Sequence, residues 1–509
     1  MELPLTPLDL LLRARRLFPN RIGVIDGDQQ WTYADFAMRC DRQAHALRSL
    51  GVQPGDRVAW LCGNTHELLE AYFGVLLAGA VLLPLNIRLA AAELRFCVDD
   101  AGARLLFRHP EQLDLELASR SDGRSGREIR TITIGAEYEA LLAAQPDSPF
   151  VPEPVDESAP AELFYTSGTT GDPKGVVLTH RNLYLHAIHS ALTNGISGDD
   201  VILHTISLFH VNGWGTPHYL TGLGGVHVLL PRFDAGEVLR LTQQHGVTRL
   251  FLVPTMVQSL LTHPSFDSTD FSTLRQISIG GAPTPPSMLA EAEDRFGCEV
   301  ICGYGMTESS PTLTRSLDKP GEPKSRARRA TTGLPILGVD ARVLDDDHVE
   351  VPWDGQTPGE VCARSNHVMQ GYWNRPEETA DTLREGWLHT GDIAVVDPDG
   401  YLTIVDRKKD LIVSGGENVS SVQVENALAA HPAVLEVAVV GMADERWGEV
   451  PHAFVTLRAG AEATERELID WVRERLAHFK APKRVTFLDE LPKGGTGKIL
   501  KQALRARSG

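Results

Sequence analysis

The stretch "DRVAWLCGNTHELLEAYFGVLLAGAVLLPL" at residues 56–85 has a short strand-like apolar run, "DRVAWLC", followed by a longer helix-like run, "THELLEAYFGVLLAGAVLLPL". The first run has the length of a buried strand, and the second has the length of a helix. The order recurs at "GVHVLLP" before "AGEVLRLTQQHG" and at "VTRLFLVP" before "TMVQSLLTH". Repeated strand-then-helix units predict an α/β fold in which parallel-rich sheets are covered by helices.

The pattern changes near residue 400. The segment "GYLTIVDRKKDLIVSGGENVSSVQVENALAAHP" begins there and reads as strand, charged turn, strand, glycine-rich loop and helix. With the strands and helix that follow, it makes a compact α+β unit of about 100 residues, the size of a small domain. The charged turn "DRKKD" at 406–410 is the natural boundary. We therefore expect a large N-terminal domain over residues 1–406 and a small C-terminal domain over residues 407–509.

Composition narrows the classes of partner. The 509 residues carry 49 Lys+Arg against 67 Asp+Glu, a formal net charge of −18, which argues against nucleic acid or an anionic membrane as the main partner. No run approaches 18 uninterrupted apolar residues, so we expect no membrane span. The six cysteines lack paired metal spacing and are expected to be free thiols. We expect a cytoplasmic protein, and any polyanion site must create its positive potential locally.

The loop "YTSGTTGDPKG" at 165–175 combines small hydroxylated residues, glycines and one lysine. Bare N–H groups and a cation suit the oxygens of a triphosphate. The Walker pattern GxxxxGK[ST] fails, because Lys174 follows Pro173 and precedes Gly175. The flanking sequence predicts a strand before the loop and a helix after it. A hydroxyl-rich surface turn has a similar composition, and that alternative stays open at this point.

Three further motifs could serve a nucleotide. "CGYGMTES" at 302–309 places Tyr304 between glycines, where its ring can face a purine, and Glu308 offers a carboxylate to Mg²⁺. "HTGDIA" at 389–394 supplies Asp392, a residue type that accepts from ribose hydroxyls. "LPKGGTGKIL" at 491–500 puts Lys498 in a second glycine-rich loop. Taken singly, each motif also has an ordinary structural explanation as a turn or cap.

Together, in this order, the motifs resemble those of the acyl- and aryl-CoA synthetases in the adenylate-forming superfamily, which includes firefly luciferase and peptide-synthetase adenylation domains. The resemblance covers essentially the whole chain, and "FHVNGWG" at 209–215 and "SGGENVSS" at 414–421 look closest to fatty-acyl-CoA ligases. It implies an AMP-forming acid–thiol ligase with ATP and CoA as co-substrates and Mg²⁺ as cofactor. It also implies that the small C-terminal domain is mobile and swivels between two half-reactions.

The resemblance assigns roles to individual residues. Lys498 would be the catalytic lysine, Thr307 would touch the α-phosphate, and Glu308 with Thr170 would hold the metal. Asp392 and Arg407 would bind the ribose, Lys409 would be the hinge, and Gly415 and Gly416 would approach CoA. The remaining nucleotide contacts would be Thr166, Ser167, Gly168, Thr169, Thr170, Lys174, Gly281, Ala282, Pro283, Gly303, Tyr304, Gly305 and Met306. His210, also a catalytic candidate beside the substrate carboxylate, would line the acyl pocket with Trp214 and Gly280.

The sequence defines the carboxylic acid substrate less closely than it defines the nucleotide. "HVNGWGTPHYLTGLGG" at 210–225 is mostly neutral, and it offers no cation for a second carboxylate. We expect a medium- to long-chain fatty acid, with an aryl or short methylthio acid as the alternative. Trp214 could gate the acyl tunnel or be an ordinary core residue.

Alternative functions also remain open. A carrier protein could replace CoA as acceptor, a luciferase-like oxygenase is less favoured, and a non-catalytic nucleotide- or acyl-binding protein is the alternative from another class. A homodimer is an open prediction. The basic run "LDKPGEPKSRARRATTG" at 317–333 is expected to be a solvated, mobile insertion.

Overall fold

The computed structural model describes residues 3–112, 129–166, 173–408, 410–414, 417–444, 447–494 and 499–506. The strands are β1 Ile22–Asp26, β2 Gln29–Thr32, β3 Arg57–Leu61, β4 Val81–Pro84, β5 Leu105–Arg108, β6 Arg130–Thr133, β7 Pro160–Thr166, β8 Lys174–Thr179, β9 Val201–His204, β10 Val226–Leu229, β11 Arg249–Leu252, β12 Gln276–Ile279, β13 Glu299–Gly305, β14 Thr312–Arg315, β15 Leu334–Pro335, β16 Val339–Leu344, β17 Gly359–Ser365, β18 Gly371–Tyr372, β19 Leu383–Arg384, β20 Trp387–Val396, β21 Leu402–Arg407, β22 Ile412–Ser414, β23 Glu417–Val419, β24 Val434–Asp444, β25 Gly448–Leu457 and β26 Arg484–Phe487. The helices are α1 Leu8–Leu17, α2 Tyr33–Ser49, α3 His66–Leu77, α4 Ala91–Ala101, α5 Ala136–Ala143, α6 His180–Asn194, α7 Thr216–Leu223, α8 Ala235–His245, α9 Pro254–Leu261, α10 Pro286–Phe296, α11 Arg326–Arg329, α12 Pro376–Thr382, α13 Ser421–Ala429, α14 Glu465–Arg473 and α15 Lys501–Ala506.

Two large sheets form the N-terminal part. One has the strand order β15-β14-β13-β12-β11-β9-β10-β1-β2, and the other has the order β18-β8-β7-β4-β3-β5-β6. Many of their pairs are parallel, whereas the pairs β1–β2, β13–β14 and β7–β8 are antiparallel. Each parallel step needs a crossover, which the helices supply while they cover the sheet faces. The predicted α/β architecture with parallel-rich sheets is confirmed.

In the stretch at 56–85, β3 and α3 form as predicted, whereas the end of the predicted helical run forms a further strand, β4. Every residue of α3 is buried, because the helix packs against α2 as well as lying over its sheet. Leu69, Tyr72 and Phe73 are wholly inaccessible and belong to the largest apolar cluster of the protein. Burial of one such side chain stabilises a fold by about 1.5–3 kcal/mol, so this unit contributes strongly to the N-terminal core.

Two smaller sheets complete the fold. β16, β17, β20 and β19 follow one another in a five-stranded sheet in which β21 also pairs with β20. In the C-terminal part, β23, β22, β25 and β24 form a sheet with β26 on β25, and α13 and α14 pack together over it. The alternation predicted beyond residue 400 is present as a small α+β unit.

Two local predictions are wrong. The predicted phosphate loop is followed by strand β8, which pairs antiparallel with β7, and α6 begins only at His180, so a strand and not a helix comes first. The run "KGVVLT" is rich in β-branched residues and extends as a strand before Thr179 caps α6 through the backbone N–H of Asn182.

The basic run is not a free insertion. Residues 326–329 form the short helix α11, whose three arginines all meet carboxylates. Arg329 is buried and lies 2.8 Å from Glu293 and 2.7 Å from Asp318. These ion pairs hold the segment against α10, because a buried guanidinium needs charged partners.

All six cysteines are free, and five of them are buried. Among the described residues, no helix is both long enough and apolar enough to cross a bilayer.

Candidate active site

Tyr304, Asp392 and Arg407 form one group where β13 meets β20 and β21. Tyr304 Oη donates a hydrogen bond to Asp392 Oδ2 at 2.7 Å, and Arg407 Nε lies 3.2 Å from Asp392 Oδ1. The β20–β21 register places Asp392 opposite Arg407 and so fixes the ion pair. Burial raises the pKa of the Tyr304 hydroxyl, which therefore keeps its proton and remains a donor. Three residues predicted for adenosine thus meet in space.

Thr307 and Glu308 lie in a 3₁₀ turn, Thr307–Ser309, directly after β13. Both are buried, and Glu308 Oε1 accepts a hydrogen bond from Tyr372 Oη at 2.7 Å. The backbone carbonyl of Glu308 also accepts from the N–H of Met369 at 2.8 Å. Burial raises the pKa of the Glu308 carboxyl, while the Tyr372 hydrogen bond opposes that rise. The carboxylate is therefore held in one orientation.

Thr166 and Lys174 flank the predicted phosphate loop as cross-strand partners in β7 and β8. Lys174 Nζ lies 5.1 Å from the centre of the Tyr372 ring, within the range of a cation–π contact. Tyr372 therefore lies between the lysine of the loop and the carboxylate of Glu308. The other predicted loop residues, Ser167, Gly168, Thr169 and Thr170, lie outside the described residues.

The chemistry of the described donors fits the predicted Mg²⁺. Glu308 is a buried carboxylate that accepts from Tyr372, whose ring also contacts Lys174. Mg²⁺ is usually held through one or two carboxylates together with substrate phosphate oxygens, and it does not need a cage of protein ligands. The second predicted ligand, Thr170, is not among the described residues.

The acyl side is marked by a strained turn. Val211, Asn212 and Trp214 have φ values of +34°, +44° and +62°, and the β-branched Val211 is a clear outlier. Asn212 Nδ2 donates to the buried carboxylate of Glu162 at 3.3 Å, which ties this turn to β7. Such backbone persists only where surrounding contacts enforce it, and it is typical of functional sites. His210 is half-buried at the start of the turn.

Trp214 is directed from this turn onto the large sheet. It is 9% exposed and packs edge-to-face on Phe251, with ring centroids 6.0 Å apart. A Cβ atom on Gly280 would lie 2.9 Å from Trp214 Cη2, so only glycine allows this approach. Trp214 and Gly280, both predicted to line the acyl pocket, are thus in direct contact.

Gly280 and Gly303 lie side by side, one residue beyond the pairing of Ile279 with Cys302. A Cβ on Gly303 would lie 2.5 Å from Arg315 Nη1, the tip of an arginine in β14. The two glycines therefore leave a trough across the sheet, which Trp214 enters from one side and Arg315 from the other. We name this feature the glycine trough, formed by Gly280 and Gly303.

The other predicted nucleotide residues lie near the ends of these strands. Gly281, at φ +79°, begins the loop between β12 and α10 that also holds Ala282 and Pro283. At Gly305 a Cβ would lie 1.8 Å from the carbonyl oxygen of Pro311, so glycine is required there. The N–H of Met306 donates to that same carbonyl at 3.0 Å.

Two residues of this site, Tyr372 and Arg315, were not predicted from the sequence. Tyr372 lies in the short strand β18, and its pairing opposite Val176 of β8 brings it beside the phosphate loop. Arg315 occupies an otherwise uncharged strand, "TLTR", and this isolated charge in a buried strand was the available signal. No local sequence motif around Tyr372 indicated that it belongs to this site.

The residues predicted for the second half-reaction, Lys409, Gly415, Gly416 and Lys498, lie outside the described residues. Around the predicted hinge, Asp406 Oδ2 accepts from the N–H of Ser421 at 2.6 Å. Lys408 Nζ lies 3.2 Å from Asp346, and Asp410 Oδ1 lies 2.7 Å from Arg505 Nη2. The contact of Asp406 with Ser421 therefore crosses the predicted hinge, whereas Lys408 and Asp410 each pair with a residue on their own side of Lys409.

Known proteins share this architecture over their full length. The AMP-binding enzyme family matches residues 11–373, and the AMP-binding enzyme C-terminal domain matches residues 423–498. A feruloyl-CoA synthase from Amycolatopsis sp is 41% identical over 499 residues, which cover 98% of each chain. The peroxisomal benzoate–CoA ligase of Arabidopsis thaliana is 37% identical, with 99% of this chain and 93% of that protein covered.

A comparison with solved structures gives the same class of enzyme. An anthranilate CoA ligase in complex with anthranoyl-AMP superposes with a TM-score of 0.92 at 28% identity, covering 100% of this chain and 98% of that one. The chain belongs to the AMP-binding enzyme family. Its class is that of the AMP-forming acid–CoA ligases, which use ATP and CoA as substrates and form an acyl adenylate.

Proposed function

We propose that the acid is an aryl acid of the benzoate or cinnamate type, and not the medium- to long-chain fatty acid expected first. The observation that carries the proposal is the glycine trough with Trp214 over Gly280. Trp214 and Arg315 occupy the space over the two glycines, so a flat ring can lie against the indole, whereas a long alkyl chain would have to displace Trp214. The feruloyl- and benzoate-specific names of the relatives support the same choice.

We propose that the predicted residues bind ATP in two groups, one at the adenosine and one at the phosphates. Tyr304, Asp392 and Arg407 bind adenosine, with Asp392 accepting from the ribose hydroxyls. Lys174, Thr166 and the loop between them bind the phosphates, and Thr307 contacts the α-phosphate. The hydrogen bond from Tyr372 to Glu308 and the 5.1 Å approach of Lys174 to the Tyr372 ring support this arrangement, because they join the phosphate loop to the metal-binding carboxylate. We assign Gly281, Ala282 and Pro283 to the adenine side.

The first half-reaction brings anions together. The substrate carboxylate attacks the α-phosphorus of ATP and pyrophosphate leaves, so negative charge builds on the phosphate oxygens. Lys174 offsets this charge at the leaving group, and Lys498 is assigned to the carboxylate and the α-phosphate. Glu308 would hold Mg²⁺, which would supply further charge neutralisation on the phosphates. His210 is assigned to the substrate carboxylate, at the point where the strained turn begins.

The second half-reaction transfers the acyl group from AMP to the CoA thiol. We propose that the domains at 1–406 and 407–509 rotate relative to one another at Lys409, so that Lys498 leaves and Gly415 and Gly416 line the CoA channel. Glycines permit close approach of the backbone to a narrow ligand. The hydrogen bond of Asp406 with Ser421, which joins residues on opposite sides of Lys409, is a polar contact that this rotation would exchange.

Pyrophosphate release tests the proposal. The assay uses ATP and Mg²⁺ with benzoate, cinnamate, 4-hydroxycinnamate, butyrate, methylthiopropionate, malonate and palmitate, each with and without CoA. The highest kcat/KM is expected with an aryl acid, and acyl-CoA should appear only when CoA is present. A maximum at palmitate would overturn the aryl assignment but would leave the ligase class intact.

A further inference from the structure

Arg315 places an unpaired cation beside the glycine trough. The residue is 4% exposed, and its Nε has no hydrogen-bond partner. Among the described residues its guanidinium has no carboxylate within ion-pair distance, whereas the other two buried arginines, Arg249 and Arg329, each pair with a carboxylate. A buried charge without a partner costs several kcal/mol, so a group in this position is expected to meet a counter-group from elsewhere.

The neighbouring protein groups do not supply that counter-group. Asp200, a buried carboxylate near this sheet, is already engaged by Arg249 at 2.9 Å and by Arg275 at 2.9 Å. The phenol of Tyr219 is buried, and burial raises its pKa, so it stays neutral. The ring of Phe251 lies 6.0 Å from the guanidinium carbon, at the outer limit of a cation–π contact.

The strand geometry directs Arg315 toward the acyl side and away from the nucleotide side. Arg315 pairs with Gly303 across β13 and β14, whereas Tyr304, the next residue along β13, points to the opposite face and binds Asp392. Successive side chains of a strand alternate between the two faces. The guanidinium therefore lies over Gly303, on the face where Trp214 covers Gly280.

From this geometry we propose that Arg315 is a specificity residue that binds an oxygen acceptor on the tail of the acid, remote from the reacting carboxylate. The substrate class is then an aryl acid whose ring carries a hydroxyl, alkoxyl or carboxylate oxygen. Guanidinium groups bind such oxygens with directed N–H donors, and a dry site strengthens the bond. The inference rests on the proposed aryl specificity and adds to it a polar end to the pocket.

The test is a selectivity ratio measured on the full-length enzyme at saturating ATP. Wild-type enzyme should show a kcat/KM at least tenfold higher for the best oxygenated ring than for its parent, with cinnamate compared with 4-hydroxycinnamate and 4-carboxycinnamate, and benzoate with its three hydroxy isomers. Arg315→Met should lower that ratio at least tenfold while the KM for ATP stays unchanged. Arg315→Lys should retain part of the preference.

Arg295→Met is the matched control, because Arg295 also lies over an aromatic ring, at 4.4 Å from the centre of Phe266, but on α10. Arg295→Met should leave the ratio of kcat/KM between the oxygenated and the parent acid unchanged. A ratio that Arg315→Met does not alter would overturn the inference, while the aryl assignment would stand as long as aryl acids react. If no aryl acid reacts but another acid does, the proposed function itself has failed.

Folding gives a second, independent measurement. Replacing an unpaired buried cation by an apolar side chain of similar length should leave the unfolding temperature unchanged or raise it. An Arg315→Met protein that unfolds several degrees earlier, or does not fold, would show that Arg315 has a structural role and would contradict the inference.

Discussion

Tyr372 Oη donates a 2.7 Å hydrogen bond to Glu308 Oε1, and the ring of the same tyrosine lies 5.1 Å from Lys174 Nζ. One side chain thus orients the predicted metal ligand and contacts the predicted phosphate-binding lysine. Tyr372→Phe keeps the ring and removes only the hydrogen bond. Because a hydrogen bond to a charged group is worth about 1.5–3 kcal/mol, we expect the rate of acyl-adenylate formation to fall about tenfold or more.

The measurement is pyrophosphate release as a function of Mg²⁺ concentration. The half-saturating Mg²⁺ concentration should rise in Tyr372→Phe, since Glu308 is no longer held in place. Tyr401→Phe is the control: Tyr401 donates to the Leu317 carbonyl at 2.9 Å. An unchanged Mg²⁺ curve with a reduced rate would contradict a positioning role for Tyr372.

Asp392 should set the preference for a ribose hydroxyl. Its two oxygens are oriented by Tyr304 and Arg407, so Asp392→Asn keeps the shape and removes the charge. Wild-type enzyme should prefer ATP over 2′-deoxy- or 3′-deoxy-ATP by about tenfold or more in kcat/KM, and the variant should lose most of that preference. Asp340→Asn, at an ion pair with Arg364, is the control. If the variant discriminates as strongly as wild type, Asp392 does not bind the ribose.

The repeated strand-then-helix order was sufficient to predict the two large sheets, because a run of apolar residues with the right length and period has few alternatives. The charged turn and the glycine-rich loop likewise indicated where a second, smaller unit begins. The prediction of a helix directly after the phosphate loop was wrong for a local reason. "KGVVLT" forms β8 because its β-branched residues favour an extended chain and pair with β7.

Contacts between distant strands could not be predicted from local patterns. Tyr372 and Glu308 are 64 residues apart and come together through the pairing of β18 with β8. Arg315 meets the trough only because Gly303, opposite it, has no side chain. The neutral segment at 210–225 suggested an apolar acyl pocket, whereas the cation beside it comes from β14, about 90 residues later in the sequence.

Lys498→Ala should separate the two half-reactions. If Lys498 contacts the substrate carboxylate and the α-phosphate, acyl-adenylate formation should fall at least a hundredfold, the usual effect of removing a preorganised charge-stabilising donor. Conversion of supplied acyl-AMP and CoA to acyl-CoA should stay within a few-fold of wild type. Lys480→Ala removes a half-buried lysine from the same C-terminal part, where its Nζ contacts Gln423 at 2.7 Å, and serves as the control. Equal losses in both half-reactions would contradict the rotation of the C-terminal domain.

His367 should make the fold sensitive to mild acid. The residue is completely buried, neither ring nitrogen has a hydrogen-bond partner, and the rings of His186 and His189 lie 5.4 Å away. Burial, together with the nearby His189, lowers the pKa of His367 to about 3. The folded protein therefore keeps this histidine neutral, whereas the unfolded chain takes up a proton near pH 6.5.

Because the unfolded state binds the extra proton, the stability contributed by neutral His367 is present above about pH 6.5 and is lost progressively as the pH falls toward 3. His367→Leu removes this proton linkage. Between about pH 6 and 4.5 the free energy of unfolding should fall by about 2 kcal/mol less in the variant than in wild type, at ~1.4 kcal/mol per proton and pH unit. Urea unfolding at several pH values measures the difference, with the exposed His478→Gln as control. Parallel pH profiles for wild type and His367→Leu would mean that His367 is protonated in the folded protein.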